Sequence, residues 1–137
     1  TVLSYLAPGM PLIYSGQEFG LSHRLKFFEK DSIPHTKGKE WNVLQKLAKL
    51  KESNSALHGG KDAANYETLE TGNKNIVAFK RSKNNNEVIF IANFSKDNQS
   101  FSISLDGGYL DYMSNTKLEN NSITTLKPNE YKVLIKE

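Results

Sequence analysis

The chain has 137 residues, of which 37% are hydrophobic and 24% charged, a balance typical of a soluble globular protein. The 18 lysines and arginines exceed the 15 acidic residues only slightly and are scattered, so no basic stretch indicates a nucleic acid partner. Cysteine is absent, which excludes disulfides and cysteine-based metal sites or nucleophiles. No apolar run is long enough to span a bilayer, so no membrane partner is expected. These features leave the cellular location open.

The first part of the chain indicates a short helix, a buried strand and a long loop. Thr1–Ala7 carries apolar residues at helical spacing and ends at Pro8-Gly9. The apolar run Met10–Ser15 predicts a strand that is covered on both faces, as in α/β sheets. An irregular loop is predicted over Phe19–Gly38, and loops of this length are often functional.

The next segment, Lys39–Ser53, predicts an amphipathic helix. Its apolar face contains Trp41, Leu44, Leu47 and Ala48. We therefore expect Trp41 to lie in the core. Gly59-Gly60 marks a break before the next unit.

From Lys61 onward, short β-type runs alternate with turn signals. The predicted strands are Tyr66–Glu70, Asn75–Arg81, Glu87–Asn93, Ser100–Leu105, Tyr109–Met113, Ser122–Leu126 and Glu130–Lys136. Turns are predicted at Lys83–Asn86, Asp106–Gly108 and Asn120-Asn121. About seven short strands at this spacing predict an antiparallel sandwich.

Five segments carry a resemblance to a known family. In chain order they are PGMPLIYSGQE (Pro8–Glu18), RLKFFEKDSI (Arg24–Ile33), WNVLQKLAKLKESNSALHGG (Trp41–Gly60), FKRSKNNNEVIFIANFS (Phe79–Ser95) and LKPNEYKVL (Leu126–Leu134). They resemble the eighth barrel strand, the following loop, the eighth barrel helix, and the opening hairpin and closing strand of the C-terminal β domain in alpha-amylase family glycoside hydrolases. The resemblance implies an α+β chain: a remnant of a (β/α)8 barrel (its last strand and helix) over residues 1–58, then an all-β antiparallel sandwich C-terminal domain over residues 59–137.

The activity that the resemblance implies is retaining hydrolysis or transfer at α-linked glucosides by a pair of carboxyl groups. In the family these groups lie on earlier barrel strands, and an Asn-His-Asp motif precedes the eighth strand. Thr1–Met10 contains no such motif, so we assign no catalytic residue to this chain. We expect the parent protein to be the enzyme and this chain alone to be inactive. Its implied partners are an α-glucan or maltooligosaccharide and the missing catalytic barrel, and no cofactor is implied.

Four polar residues are candidates for the rim of the substrate cleft, because loops after barrel strands form the active-site face. They are Gln17, Glu18, Lys30 and Asp31. The alternatives are that Glu18 fixes its own loop, which we favour, and that Lys30 and Asp31 form a solvated ion pair.

Aromatic and imidazole side chains are the other groups that could bind a ligand. Phe27 and Phe28 could form a sugar platform, but we expect at least one of them to pack under the loop. The three histidines share no metal-ligand spacing, so no metal site is predicted.

Two other functions fit parts of the sequence: a carbohydrate-binding β-sandwich module, and an unrelated α+β interaction domain. The tyrosines of the β region follow no pattern typical of a sugar platform. A barrel strand without neighbours leaves its backbone unpaired. We therefore expect residues 1–21 to lose their barrel conformation in isolation, or to pair with a second copy of the chain.

Overall fold

The computed structural model describes residues 1–118 and 123–137, and most of its regular structure is antiparallel β sheet. The helices of this part of the chain are α1 (Val2–Leu6) and α2 (Lys39–Ser53), with single 3-10 turns at Gln17–Phe19, Ser55–Leu57 and Gly60–Asp62. The strands are β1 (Asn65–Thr68), β2 (Ile76–Lys83), β3 (Asn86–Asn93), β4 (Gln99–Ser102), β5 (Tyr109–Asp111), β6 (Thr116–Leu118), β7 (Ile123–Leu126) and β8 (Tyr131–Lys136).

Six of these strands form one sheet in the order β1-β2-β3-β8-β5-β6, and β4 and β7 form a separate pair. The predicted turn between β2 and β3 is confirmed, with Lys83 opposite Asn86. Asn84 and Asn85 both have positive φ, at 49° and 65°. Two consecutive left-handed residues are what a tight hairpin turn needs, and asparagine tolerates this conformation better than most residues.

Apolar side chains cover both faces of the large sheet. One face packs against the β4–β7 pair; its core includes Ile89, Ile91, Phe101, Leu126 and Leu134. The other face packs against α1, the end of α2 and the Ser55–Leu57 turn; its core includes Leu6, Leu50, Leu57, Phe90 and Val133. Each fully buried side chain of this size contributes about 2 kcal/mol through the hydrophobic effect. The central strand β3 is therefore buried almost throughout.

Some β elements differ from the prediction. β6 was missed because Thr116–Leu118 has no apolar alternation and lies at the edge of the sheet. β4 ends at Ser102, although Ile103 and Leu105 continue to face the core as predicted. The predicted turn Asn120-Asn121, and Ser122 at the start of a predicted strand, lie outside the described residues.

Helix α2 has the predicted bounds, but its buried face is rotated from the predicted one. Leu44, Leu47 and Leu50 are buried, whereas Ala48 is exposed. The expectation that Trp41 lies in the core is wrong: it is only half-buried and stacks on Phe19, with 5.6 Å between ring centroids. The reason is that α2 packs against α1 and the β sheet through its leucines, which leaves the Trp41 side at the surface.

The predicted strand Met10–Ser15 is not formed, which corrects the expected barrel strand. Met10, Leu12 and Tyr14 are 90%, 82% and 68% exposed. The physical reason is that a barrel strand needs paired neighbours on both sides. The segment therefore has no strand partner among the described residues, although Leu6 of α1, which precedes it, is fully buried.

Tyr109 of β5 is a buried phenol whose hydroxyl donates a hydrogen bond to Glu87 Oε2. Burial raises the pKa of Tyr109 above its usual value, and the hydrogen bond from Tyr109 to the Glu87 carboxylate raises it further. The same hydrogen bond lowers the pKa of Glu87. Folding therefore favours the protonated phenol and the ionised carboxylate.

We expect the Tyr109 phenol to make the protein less stable in alkali. Its folded pKa is raised, so the stability it contributes is present below about pH 10 and is lost as the pH rises above that value. In Tyr109→Phe, the free energy of unfolding should fall less between pH 8 and pH 11 than it does in the wild type, as measured by urea denaturation. Tyr66→Phe, at a half-exposed tyrosine on β1, is the control. An equal fall in both variants would contradict this expectation.

Candidate functional site

The turn after Tyr14 is fixed by its own side chains. The backbone N–H of Gly16 donates to Glu18 Oε2 at 2.9 Å, so Glu18 points into its own loop. Gln17 accepts a hydrogen bond from the backbone N–H of Tyr14 at 3.2 Å and donates to Thr1 Oγ1 at 2.9 Å. Gly16 has φ +94°, and a Cβ there would lie 2.8 Å from a Leu21 side-chain atom, so only glycine fits.

The loop over residues 24–33 is organised by Asp31. Its two carboxylate oxygens accept hydrogen bonds from the backbone N–H groups of Lys26, at 3.0 Å, and Ser32, at 2.8 Å. These two bonds, with a smaller contribution from His23 at 3.6 Å, lower the pKa of Asp31. Asp31 is therefore ionised at neutral pH and faces His23, while Lys30 is exposed to solvent.

This loop presents two aromatic rings to solvent. Phe27 and Phe28 are 83% and 94% exposed, and their rings meet edge to face with centroids 4.8 Å apart. The expectation that at least one would pack under the loop is wrong. The turn is closed by Asp31 and by an ion pair of 2.9 Å between Lys26 and Glu29, and it carries both rings away from the core.

A groove of about 540 Å³ runs between the Tyr14 turn and this loop. We call it the loop groove; it is lined by Tyr14, Gln17, Leu21, His23, Arg24, Leu25 and Phe27. Of the four predicted rim residues, Gln17 lines the groove and Asp31 reaches it through His23. Glu18 instead lines a separate hollow beside Ile13 and Trp41. The four predicted residues therefore do not form one cluster.

Two cations that were not singled out in the sequence hold the N-terminal segment against the β sheet. Arg81 of β2 is only 1% exposed and donates to the carbonyl oxygens of Leu6 (3.1 Å), His58 (2.9 Å) and Asn65 (3.3 Å). Strand alternation could have identified it, because Arg81 shares a sheet face with the buried Phe79. The pKa of Arg81 is lowered by burial.

The second cation is Lys51, near the end of α2. Its Nζ lies 2.9 Å from the carbonyl oxygen of Leu57, 3.2 Å from that of Gly9 and 3.4 Å from that of Tyr5. Burial, and then the charge of Arg81, lower the pKa of Lys51. We call Arg81 and Lys51 together the carbonyl clamp, because both donate only to backbone oxygens in these contacts.

The segment that follows α2 is also fixed to the β2–β3 hairpin. Ser55 Oγ donates to the carbonyl oxygen of Lys83 at 2.9 Å and accepts from Asn86 Nδ2 at 2.9 Å. Lys83 in turn forms an ion pair with Asp62. These bonds and the carbonyl clamp leave the connection between α2 and β1 little freedom.

Within the described ranges, 1–118 and 123–137, no group of three or more histidine or acidic side chains is placed to hold a metal ion. No helix there has the length and apolar character needed to cross a bilayer.

Comparison with protein families gives a match for the β region. Residues 76–136, from β2 to the end of β8, match the family described as Beta-galactosidase C-terminal domain. The sequence matches none of the curated proteins.

Comparison with solved structures extends the similarity to nearly the whole chain. The noncanonic maltogenic alpha-amylase AmyB from Thermotoga neapolitana matches with a TM-score of 0.76 and 16% identity, over 98% of this chain and 34% of its own. An Anoxybacillus alpha-amylase matches with a TM-score of 0.74 and 18% identity, over 98% of this chain and 30% of its own. AmyP in complex with maltotriose matches with a TM-score of 0.71 and 16% identity, over 99% of this chain and 33% of its own.

The chain thus spans about a third of the length of the solved structures that it matches. The TM-scores of 0.71–0.76 show a shared fold, and at identities of 16–18% the similarity shows the fold alone. The family match is independent of these structures and shows that β2 to β8 are similar to a C-terminal domain of a glycoside hydrolase family. This chain therefore has the fold of the C-terminal part of alpha-amylase family glycoside hydrolases, and its β region matches a glycoside hydrolase C-terminal domain.

Proposed function

We propose that the chain is the C-terminal part of a retaining glycoside hydrolase that acts on α-glucans. Residues 1–58 would complete its (β/α)8 barrel, and residues 59–137 would form the C-terminal β domain. The fold similarity to alpha-amylases over 98% of the chain, including residues 1–58, supports this proposal. The catalytic carboxyl groups would then lie in the remaining two thirds of the parent protein, and the present chain alone would be inactive.

The contacts of the carbonyl clamp support a structural role for the β domain. Arg81 belongs to the β sheet, yet two of its three acceptors, Leu6 and His58, lie in the proposed barrel part. Within the described residues the buried Arg81 guanidinium donates to backbone carbonyl oxygens, so its burial requires those carbonyl groups to stay in place. We infer that the β domain holds the end of the barrel in position.

The exposed apolar residues of the N-terminal segment fit the same proposal. Met10, Leu12 and Tyr14 form an apolar stretch that would be buried once the rest of the barrel pairs with it. In the isolated chain, the same stretch of residues 1–21 would favour pairing with a second copy. Gln17, Glu18, Lys30 and Asp31 remain candidates for the cleft rim.

A second candidate substrate is a β-galactoside, because the matching family carries that name. That match is confined to residues 76–136. By contrast, the similarity to alpha-amylases also covers residues 1–58, the proposed barrel part. We therefore favour an α-glucan.

The test compares the longer protein that contains this chain with the 137-residue chain alone. We expect the longer protein to hydrolyse maltooligosaccharides and to release the α-anomer first, as followed by proton NMR, because the mechanism is retaining. The chain alone should show no turnover, and light scattering should show that it self-associates. Hydrolysis of a nitrophenyl β-galactoside but of no maltooligosaccharide would overturn the α-glucan proposal. Turnover by the chain alone would show that it does contain catalytic groups.

A further inference from the structure

We propose that the Asp106-Gly107 peptide unit is a site of spontaneous covalent modification, where the aspartate converts to isoaspartate through a cyclic imide. This inference does not depend on the function proposed above. Asp106 and Gly107 lie in the connection between the end of β4 at Ser102 and the start of β5 at Tyr109. They belong to the predicted turn Asp106–Gly108, which has no role in the proposed function.

The reaction needs only these two residues and water. The backbone nitrogen of Gly107 attacks Cγ of Asp106, a bond forms between these two atoms, and the carboxyl hydroxyl leaves as water with the amide proton. Water then opens the resulting succinimide at either of its carbonyl carbons. Opening at Cγ restores aspartate, whereas opening at the main-chain carbonyl carbon routes the chain through Cβ and Cγ and frees the α-carboxylate. The product is isoaspartate, which has the same mass and a longer backbone.

The structure leaves the reacting groups of Asp106 and Gly107 unrestrained. Both residues are exposed. Among the described residues, the Asp106 carboxylate has no hydrogen-bond or ion-pair partner, and the backbone N–H of Gly107 has no acceptor. Gly107 has φ +110° and carries no side chain that could obstruct the attack. Neither group therefore has to break a hydrogen bond before it reacts.

Asp31-Ser32 is a comparable sequence that the structure protects. Serine is also small, so the sequence alone would favour the same reaction there. However, Asp31 accepts hydrogen bonds from the backbone N–H groups of Ser32, at 2.8 Å, and Lys26, at 3.0 Å. The Ser32 N–H thus points at a carboxylate oxygen instead of presenting its nitrogen to Cγ. The same bonds lower the pKa of Asp31, which disfavours the protonated carboxyl group that the reaction consumes.

Isoaspartate at position 106 acts on the start of β5. The carbonyl oxygen of Gly108 accepts a hydrogen bond from the backbone N–H of Glu137 at 3.1 Å, and Tyr109 lies opposite Lys136 of β8. A backbone that is longer immediately before these contacts shifts Gly108 and Tyr109 relative to β8. The modification therefore loosens the pairing of β5 with β8.

The experiment ages the 137-residue chain at neutral pH for several weeks, folded in buffer and unfolded in concentrated guanidinium chloride. Isoaspartate is quantified at each site by peptide mapping with electron-transfer fragmentation. We expect folding to slow the reaction about tenfold at Asp31 and less than about twofold at Asp106, because one hydrogen bond to a charged group accounts for a factor of this size. Comparing each site with itself removes the intrinsic difference between glycine and serine.

The control variant is Asp106→Glu, which keeps the charge but would have to form a larger ring. It should give no isomerisation at position 106. Hydrogen exchange of β5 should become faster in the aged wild type and stay unchanged in the aged variant. Folding that protects Asp106 as strongly as Asp31 would overturn the proposal. Unchanged exchange of β5 in fully modified protein would overturn the effect on strand pairing. Neither readout requires hydrolytic activity, so both are independent of the proposed function.

Discussion

Replacing Arg81 by methionine should lower the free energy of unfolding by about 3 kcal/mol. Methionine has a similar length and fills most of the space, so the loss of hydrogen bonding dominates. The carbonyl oxygens of Leu6, in a buried setting, and of His58, in a partly buried one, would lose their Arg81 donor. A buried ion pair can be replaced by two apolar residues at little cost. Here the acceptors are backbone oxygens, which no substitution removes.

The control for this variant is Lys80→Met, one residue away on the opposite face of β2. Lys80 pairs with Glu67 at 3.0 Å, and the Glu67 side chain is mostly exposed. Surface pairs contribute about 0–1 kcal/mol, so this variant should be close to the wild type in urea denaturation. Hydrogen exchange should in addition show faster exchange of the Ala7 amide, which bonds to the Leu3 carbonyl, in Arg81→Met only. Equal losses of stability in the two variants would show that the clamp contributes no more than a surface pair.

The sequence is most predictive where local patterns determine the structure. The bounds of α2 follow from helical periodicity, and the Asn84-Asn85 turn follows from the conformational preference of asparagine. Leu50 was not assigned to the buried face of α2, because which side of a helix is covered depends on its partners. Here those partners are α1 and the β sheet, which periodicity alone does not reveal.

The candidate site was less predictable for the same reason. A run such as Met10–Ser15 indicates a strand only if other strands pair with it, and here none does among the described residues. The exposure of Phe27 depends on a turn closed by Asp31, through contacts that span up to five residues. Gln17 was predicted as a rim candidate because its position after an apolar run is a local signal. Its partner Thr1 lies 16 residues away and is outside the reach of such a signal.

The second large effect is expected at Asn93, where Asn93→Ala should lower the free energy of unfolding by about 3 kcal/mol. Asn93 is fully buried at the end of β3. Its Nδ2 donates to the carbonyl oxygens of Asp97 (2.8 Å), Leu126 (3.0 Å) and Lys127 (3.0 Å), and its Oδ1 accepts from the N–H and hydroxyl of Ser95. One side chain thus joins the connection after β3 to the end of β7, which belongs to the other β layer.

The isosteric variant Asn93→Asp separates lost hydrogen bonds from lost volume. An ionised carboxylate would face the carbonyl oxygens of Leu126 and Lys127, so Asn93→Asp should be at least as unstable as Asn93→Ala at pH 7. It should recover part of the loss in acid, where a protonated carboxyl can donate one hydrogen bond. Asn98→Ala, at an exposed asparagine nearby, should change stability by less than about 0.5 kcal/mol. If Asn93→Asp matched the wild type in urea denaturation at pH 7, the Nδ2 bonds would not be what ties the two layers together.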